Sequence, residues 1–335
     1  MPERPQALFA MTAPNVPRVF PPDLLAGLRE HVDIDPALVA EDLTEPRVRE
    51  VLARTEVLIT GWGCPLLDAA ALDAAPRLRA VLHAAGSVKG FTTPEVFERG
   101  IAVSSAAAAN ALPVAEYTLA MILLSGKDVF ASRDLLRARR GFPYGDILPG
   151  IGNYGRRVGV VGASRIGRRV IELLRPHDLR VSLSDPYVDE AGAARLGVPL
   201  LPLDDLLSGS DTVTLHAPDT SGTRHLIGAR ELALMPSGAV LINTARGALV
   251  DHDALVAELR TGRLGAVLDV TDPEPLPAGS PLFDLPNAFV TPHLAGSQGN
   301  EVARLGRTVV EEAARLAAGD PLAHAVDHTA LERTA

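Results

Sequence analysis

Six short runs rich in branched apolar residues recur at 158–161, 180–183, 212–215, 239–242, 266–268 and 288–290. Runs of that length, bounded by turn residues, read as strands. Helical patterns lie between several of them. Ile166, Val170 and Leu174 fall at i, i+4 and i+8, one face of a helix. The stretch from Asp251 to Arg260, followed by Gly262, reads as a helix with an acidic cap and a glycine stop. Strands alternating with helices predict an α/β fold built on a mainly parallel, doubly wound sheet.

The first hundred residues repeat this grammar on a smaller scale. Residues 57–60 and 80–83 predict buried strands, each followed by a glycine-bearing turn and a helical stretch. A chain of 335 residues is long for one core, so a second, smaller α/β domain is expected. A long apolar helix is expected to begin at Asn110. Another runs from Gly299 to Gly319, with Val302, Leu305, Val309 and Ala313 on one face. The expected division is therefore 1–110 with 300–335 as one discontinuous domain and 111–299 as the other. Prolines near the start predict an extended or poorly ordered lead-in up to about Pro22.

Composition narrows the partners. A formal net charge of −9 argues against a nucleic-acid surface, which needs a clustered basic face. The stretch Arg137-Ala-Arg-Arg140 reads as a solvated helix face. No uninterrupted apolar run approaches the roughly 18 residues of a membrane span, and no basic region followed by an apolar core opens the chain. Neither a membrane partner nor a signal peptide is expected. The single cysteine, Cys64, excludes an intrachain disulfide and is compatible with a cytoplasmic location. His225, His252, His324 and His328 have no metal-ligand spacing, so no metal is expected.

Gly162-Ala-Ser-Arg-Ile-Gly167 sits where a strand turns into a helix. There, backbone N–H groups and the helix dipole favour a pyrophosphate. The usual pattern is Gly-x-Gly-x-x-Gly, and Ser164 replaces its second glycine, so phosphate approach is no longer free of a side chain. Asp185 follows the next strand, 18 residues after Gly167, where a carboxylate binds adenosine ribose hydroxyls and repels a 2′-phosphate. The pair predicts NAD rather than NADP. His216-Ala217-Pro218 and Thr223 follow another strand and fit a cofactor-side loop.

Three further residues each follow a strand in this half. Arg246 precedes Gly247, Glu274 lies in a proline-rich loop, and His293 precedes a glycine-containing loop. Arginine binds a carboxylate with a planar fork while polarising a neighbouring carbonyl oxygen. An imidazole donates a proton to a nascent alkoxide and recovers it in reverse, and a nearby carboxylate favours its charged form. Alone, each residue is more often an ion-pair partner or a solvated loop residue. Together they are the equipment for reversible hydride transfer to a carbonyl.

From about Val57 to about Gly319 the sequence resembles the NAD-dependent D-2-hydroxyacid dehydrogenases. The resemblance rests on the spacing Arg246…Glu274…His293, the step from Asp269 to Glu274, and Asn110…Val114-Ala-Glu116. It implies a Rossmann NAD domain and a smaller, flavodoxin-like domain with the site in the cleft between them. It assigns Arg246 to substrate, His293 to acid/base work, Glu274 to orienting the histidine and Asp269 to the nicotinamide carboxamide. Cofactor contacts are implied for Gly162, Ser164, Arg165, Ile166, Gly167, Val114, Thr244 and Ala245. Gly86, Ser87 and Val88 are implied to hold the substrate carboxylate, with Trp62 beside it.

The sequence departs from the family pattern at Ser87, in place of a glycine, and at Lys89, in place of an aspartate. Lys89 raises the question of an extra negative charge on the substrate. Gly61 and Trp62 stand where phosphoglycerate-type members carry an arginine. The resemblance also implies a homodimer, and no added regulatory domain is expected beyond the last helix. Expected partners are thus a 2-oxo or 2-hydroxy acid and a second copy of the chain. Other readings on the same scaffold are formate- or phosphite-type oxidation and a non-enzymatic, NADH-sensing corepressor-like protein.

Overall fold

The structure is a computed structural model that describes residues 4–141 and 151–333. The chain forms two compact units. One comprises the chain up to Ala111 together with Ser297–Leu331, and the other comprises Leu112–Gly296.

The first unit is a five-stranded parallel sheet of β1 (Gln6–Ala10), β2 (Asp33–Val39), β3 (Val57–Thr60), β4 (Ala80–His83) and β5 (Ala102–Ser105). Its order is β2-β1-β3-β4-β5, the flavodoxin-like order. Successive strand residues point to opposite faces. Phe9, Ile59 and Leu82 therefore join one buried cluster with Phe20, Leu28 and Val309, while Leu8, Leu58 and Val81 join the other. Gly319 (φ +79°) ends the helix Val302–Ala318 in the left-handed conformation that favours glycine.

Of the expected extended or poorly ordered lead-in, residues 6–10 are extended, as a strand, and residues 15–19 are helical, so poor order is wrong for residues 4–22; residues 1–3 lie outside the described residues. β1 is an interior strand of this sheet, and Leu8, Phe9, Ala10 and Met11 are almost wholly buried. The prolines do not oppose this order. Pro14 and Pro21 flank helix starts and Pro22 is a first helical residue, positions where a missing N–H costs nothing.

The second unit is a six-stranded parallel sheet of β6 (Arg157–Val161), β7 (Arg180–Ser184), β8 (Thr212–Leu215), β9 (Val240–Asn243), β10 (Gly265–Leu268) and β11 (Ala288–Val290). Its order is β11-β10-β9-β8-β6-β7. A single parallel bridge, Leu183 to Leu200, continues the sheet beyond β7. Counting Leu200 as a vestigial third strand gives the order 3-2-1-4-5-6-7, the 3-2-1-4-5-6 order of a Rossmann sheet with one further strand, β11, at its edge. The chain reverses its winding between β6 and β8, the crevice where such sheets take a dinucleotide.

The helix Ala107–Gly126 has 20 residues and, by length and composition alone, is long and apolar enough to cross a membrane. It begins at Ala107, three residues before the expected Asn110, and Asn110 and Glu116 interrupt its apolar run. Ala115 and Ile122 are buried in the second unit's core beside Val158, Val170, Ile242 and Val267.

Candidate active site

Parallel strands deliver their following loops to one edge, and β9, β10 and β11 are neighbours in the sheet. Arg246, Glu274 and His293 each lie just beyond one of them. Buried Asn243, the last residue of β9, shapes the first loop. Its Nδ2 donates to the Arg246 carbonyl at 2.8 Å and its Oδ1 accepts from Ala245 N at 3.1 Å. Arg246 is half-buried and donates from Nη1 to the Ala245 carbonyl at 2.7 Å. No carboxylate among the described residues forms an ion pair with it, so the rest of its fork is available to a ligand.

Gly247 joins this loop to the next. An ideal Cβ there would lie 2.0 Å from the carbonyl of Thr271. Beyond Thr271 come Asp272, paired with Arg224 at 3.0 Å, and Glu274. The Asp272–Pro273 and Glu274–Pro275 peptide bonds are both cis. Glu274 Oε1 lies 2.5 Å from His293 Nδ1. With Nδ1 held by the carboxylate, Nε2 is the ring nitrogen left for a ligand.

His293 is held at φ +51°, an uncommon conformation for a residue with a side chain. Its N–H donates to the carbonyls of Asp269 and Thr291, at 2.9 and 3.0 Å. The Asp269 carboxylate, 2% exposed, accepts from Thr291 Oγ1 at 2.6 Å and from Leu294 N and Ala295 N, both at 2.9 Å. Asp269 therefore organises the turn that carries His293, a task its sequence context did not reveal.

The cofactor side is built around the β6–β8 crevice. Gly162, at φ +96°, stands so close to the β8 loop that a Cβ would lie 2.6 Å from Ala217 N. A Cβ on Gly167 would lie 2.0 Å from the Gly162 carbonyl. Ser164 is the N-cap of the helix Arg165–Leu174 and accepts from Gly167 N at 3.3 Å. The serine that breaks the glycine pattern thus has a use in the fold. The first amides of that helix, at Arg165 and Ile166, have no intrahelical acceptors and can receive phosphate oxygens. Asp185, after β7, accepts from Ala163 N at 2.6 Å and Tyr187 N at 2.7 Å and retains lone pairs for ribose hydroxyls. This donor set fits a dinucleotide.

Other sequence-predicted residues have internal partners. Thr223 Oγ1 donates to the Pro218 carbonyl at 2.6 Å, closing the turn after Ala217. The His216 ring is 1% exposed, bonds Thr214 Oγ1 through Nε2 at 3.0 Å and is pushed down to about 3 by burial. It is a neutral packing residue behind the cofactor loop. Thr244 Oγ1 meets Thr118 Oγ1 at 2.9 Å, and Thr118 donates to the Val114 carbonyl at 2.8 Å.

Trp62, Gly86, Ser87 and Val88 belong to the first unit, just after β3 and β4. Trp62 is exposed, Gly86 and Ser87 are half-buried and Val88 is buried. His83, the last residue of β4, sets the 86–88 loop through its side chain. Its buried ring lies 2.9 Å from Thr60 Oγ1 and hydrogen-bonds the Ser87 backbone, and burial pushes it down to about 3. A neutral imidazole offers one donor and one acceptor, so it bridges the two.

Comparison with known proteins agrees with this architecture. Residues 119–295 match the family described as "D-isomer specific 2-hydroxyacid dehydrogenase, NAD binding domain". The chain is 36% identical over 266 residues to a D-3-phosphoglycerate dehydrogenase of Mycobacterium leprae, covering 78% of this chain and 49% of that protein. It thus spans about half the length of that relative. It is 31% identical over 306 residues to a glyoxylate reductase of Korarchaeum cryptofilum, covering 88% of this chain and 91% of that protein. Among solved structures, a phosphoglycerate oxidoreductase from Rhizobium etli superposes with a TM-score of 0.80 at 26% identity, covering 97% of this chain and 99% of that one. The dinucleotide of the second unit is NAD. The chain belongs to the D-isomer-specific 2-hydroxyacid dehydrogenase family.

Proposed function

We propose that the protein is an NAD-dependent oxidoreductase that interconverts a small 2-oxo acid and its D-2-hydroxy acid. The observation that carries this reading is the constellation on the edge of β9, β10 and β11. It joins an arginine that has no carboxylate partner among the described residues to a histidine whose Nδ1 lies 2.5 Å from a glutamate.

NADH, when bound, supplies the hydride. Arg246 binds the substrate carboxylate and polarises the carbonyl oxygen. His293 gives a proton from Nε2 to that oxygen as the C–O group becomes an alkoxide, and takes one back in the reverse direction. Glu274 fixes the ring orientation and stabilises the imidazolium. Asp269 holds the histidine turn. The amides at Arg165 and Ile166 and the Asp185 carboxylate hold the cofactor, and the Gly86–Val88 backbone binds the substrate carboxylate. Gly61 and Trp62 at the end of β3 support an uncharged substrate side chain rather than a phosphorylated one.

A homodimer is part of this reading. No residue of the helix Val129–Arg139 is fully buried: Phe130 stacks on Phe289 at 4.0 Å between ring centroids, while Val129 and Leu136 are exposed. Such a helix suits a surface covered by a second copy.

The test is NADH oxidation with a panel of 2-oxo acids, including glyoxylate, hydroxypyruvate and longer apolar chains. His293→Gln and Arg246→Ala serve as controls. Turnover of at least one acid, lost in both variants, is expected. Wild-type protein inactive on the whole panel, or turnover indifferent to both substitutions, contradicts the proposal.

A further inference from the structure

The long helix Ala107–Gly126 sends two adjacent hydroxyls toward the candidate site. Thr118 meets Thr244 in the loop that leads to Arg246. Tyr117 Oη lies 2.8 Å from Thr291 Oγ1, two residues before His293. The direction of the second contact follows from proton counting. Asp269, as a carboxylate, only accepts, so Thr291 spends its single proton on Asp269 Oδ1 at 2.6 Å. Thr291 must then accept from Tyr117. The result is a one-way chain, Tyr117 to Thr291 to Asp269, in which each bond polarises the next.

That chain ends on the group that holds the histidine turn. Asp269 takes the amides of Leu294 and Ala295, the two residues after His293, and its carbonyl takes the His293 amide. His293 is kept at φ +51° by this turn, a conformation that persists only where the surroundings enforce it. Its ring is fixed separately by Glu274.

We infer that Tyr117 is a positioning residue for His293, acting through Thr291 and Asp269. The inference deepens the proposed function and rests on it: the acid/base nitrogen is aimed by two independent supports, Glu274 at the ring and Tyr117 through the backbone turn. Tyr117 itself touches no reacting atom. Its half-buried phenol is shifted upward by burial, offset by the bond to Thr291, with the Asp269 charge adding to the rise. It therefore remains a protonated donor at neutral pH.

Tyr117→Phe keeps the ring and removes only the hydroxyl. The expected result is a kcat for oxo-acid reduction lowered about ten-fold, with KM for NADH and for the acid within about two-fold of wild type. Backbone amide exchange at Leu294 and Ala295 is expected to accelerate about ten-fold, with the amides of β6, β8 and β9 unchanged. Thr291→Val breaks the same chain. Adding Tyr117→Phe to it costs nothing more, and Thr291→Ser restores most of the rate that Thr291→Val loses. Unchanged kcat and unchanged exchange in Tyr117→Phe overturn the inference, as does a double variant slowed by the product of the two single effects. The exchange measurement needs no substrate. If wild-type protein reduces no 2-oxo acid, the proposed function fails, while exchange at Leu294 and Ala295 still decides whether Tyr117 holds the turn.

Discussion

Gly247 and Thr271 are in such close contact that a single added carbon on the glycine would lie 2.0 Å from the Thr271 carbonyl. This is where the loop carrying Arg246 meets the loop carrying Glu274, so the spacing between guanidinium and carboxylate is set by the absence of a side chain. Gly247→Ala must push the loops apart. The expected cost is about 2 kcal/mol of stability, the scale of a tight overpacking substitution. kcat/KM should fall with it, by about 100-fold for a misplacement near 1 Å. Thermal unfolding and steady-state kinetics on the same preparation check this. A variant with wild-type melting and turnover would mean that the contact does not set the geometry.

Glu274→Gln retains the shape of the side chain and removes its charge. Because Nδ1 of His293 is 2.5 Å from Glu274 Oε1, the substitution is expected to lower kcat for oxo-acid reduction by about 100-fold. Cofactor binding, followed by NADH fluorescence, should be unaltered. Loss of NADH binding with no change in kcat for the bound fraction would place Glu274 in the cofactor site instead.

Asp185 faces the cofactor choice. Its two oxygens already receive the amides of Ala163 and Tyr187, so the carboxylate is fixed in place and cannot swing away from a 2′-phosphate. Asp185→Asn is expected to raise the ratio of NADPH to NADH use by about ten-fold or more, mostly by weakening NADH and relieving repulsion of NADPH. An unchanged ratio in parallel titrations with both dinucleotides would remove Asp185 from the discrimination.

Two buried imidazoles make stability fall in mild acid. His83 and His216 are pushed down from 6.5 to about 3, both chiefly by burial. Each stays neutral in the folded state while the unfolded chain takes up a proton below about pH 6.5. The unfolded state thus binds more protons, and stability is full above pH 6.5 and lost progressively as pH falls toward 3. At pH 5 the loss is about 2 kcal/mol for each ring. Urea midpoints at pH 7.5 and 5 measure it, and His216→Asn should flatten the dependence. Equal midpoints at both pH values contradict neutral burial.

Much of this molecule was legible because parallel sheets encode themselves locally. Each strand of the second unit is a short apolar run, and the residues just past the runs land on one edge, which is why Arg246, Glu274 and His293 could be grouped before any coordinates. β1 was hidden by the prolines on either side of it, although its apolar run of Ala7 to Met11 carried the signal. The Tyr117–Thr291 bond spans 174 positions and joins a helix face to a loop. No periodicity reports a contact of that kind. The work of Asp269 was hidden for a similar reason: its partners Leu294 and Ala295 donate through backbone amides, which any residue except proline supplies whatever its side chain. His83 looked like one more residue of a buried strand. Only its position opposite Thr60 and below Ser87 shows that it shapes the 86–88 loop.

The fate of the transferred hydrogen tests the central claim most directly. NADH carrying deuterium at the transferable C4 position is incubated with whichever 2-oxo acid of the panel is turned over, and the product is examined by NMR and chiral chromatography. The account predicts a D-2-hydroxy acid with deuterium at C2, formed by wild-type protein and not by His293→Gln. A product without deuterium at C2, or one of L configuration, would contradict it.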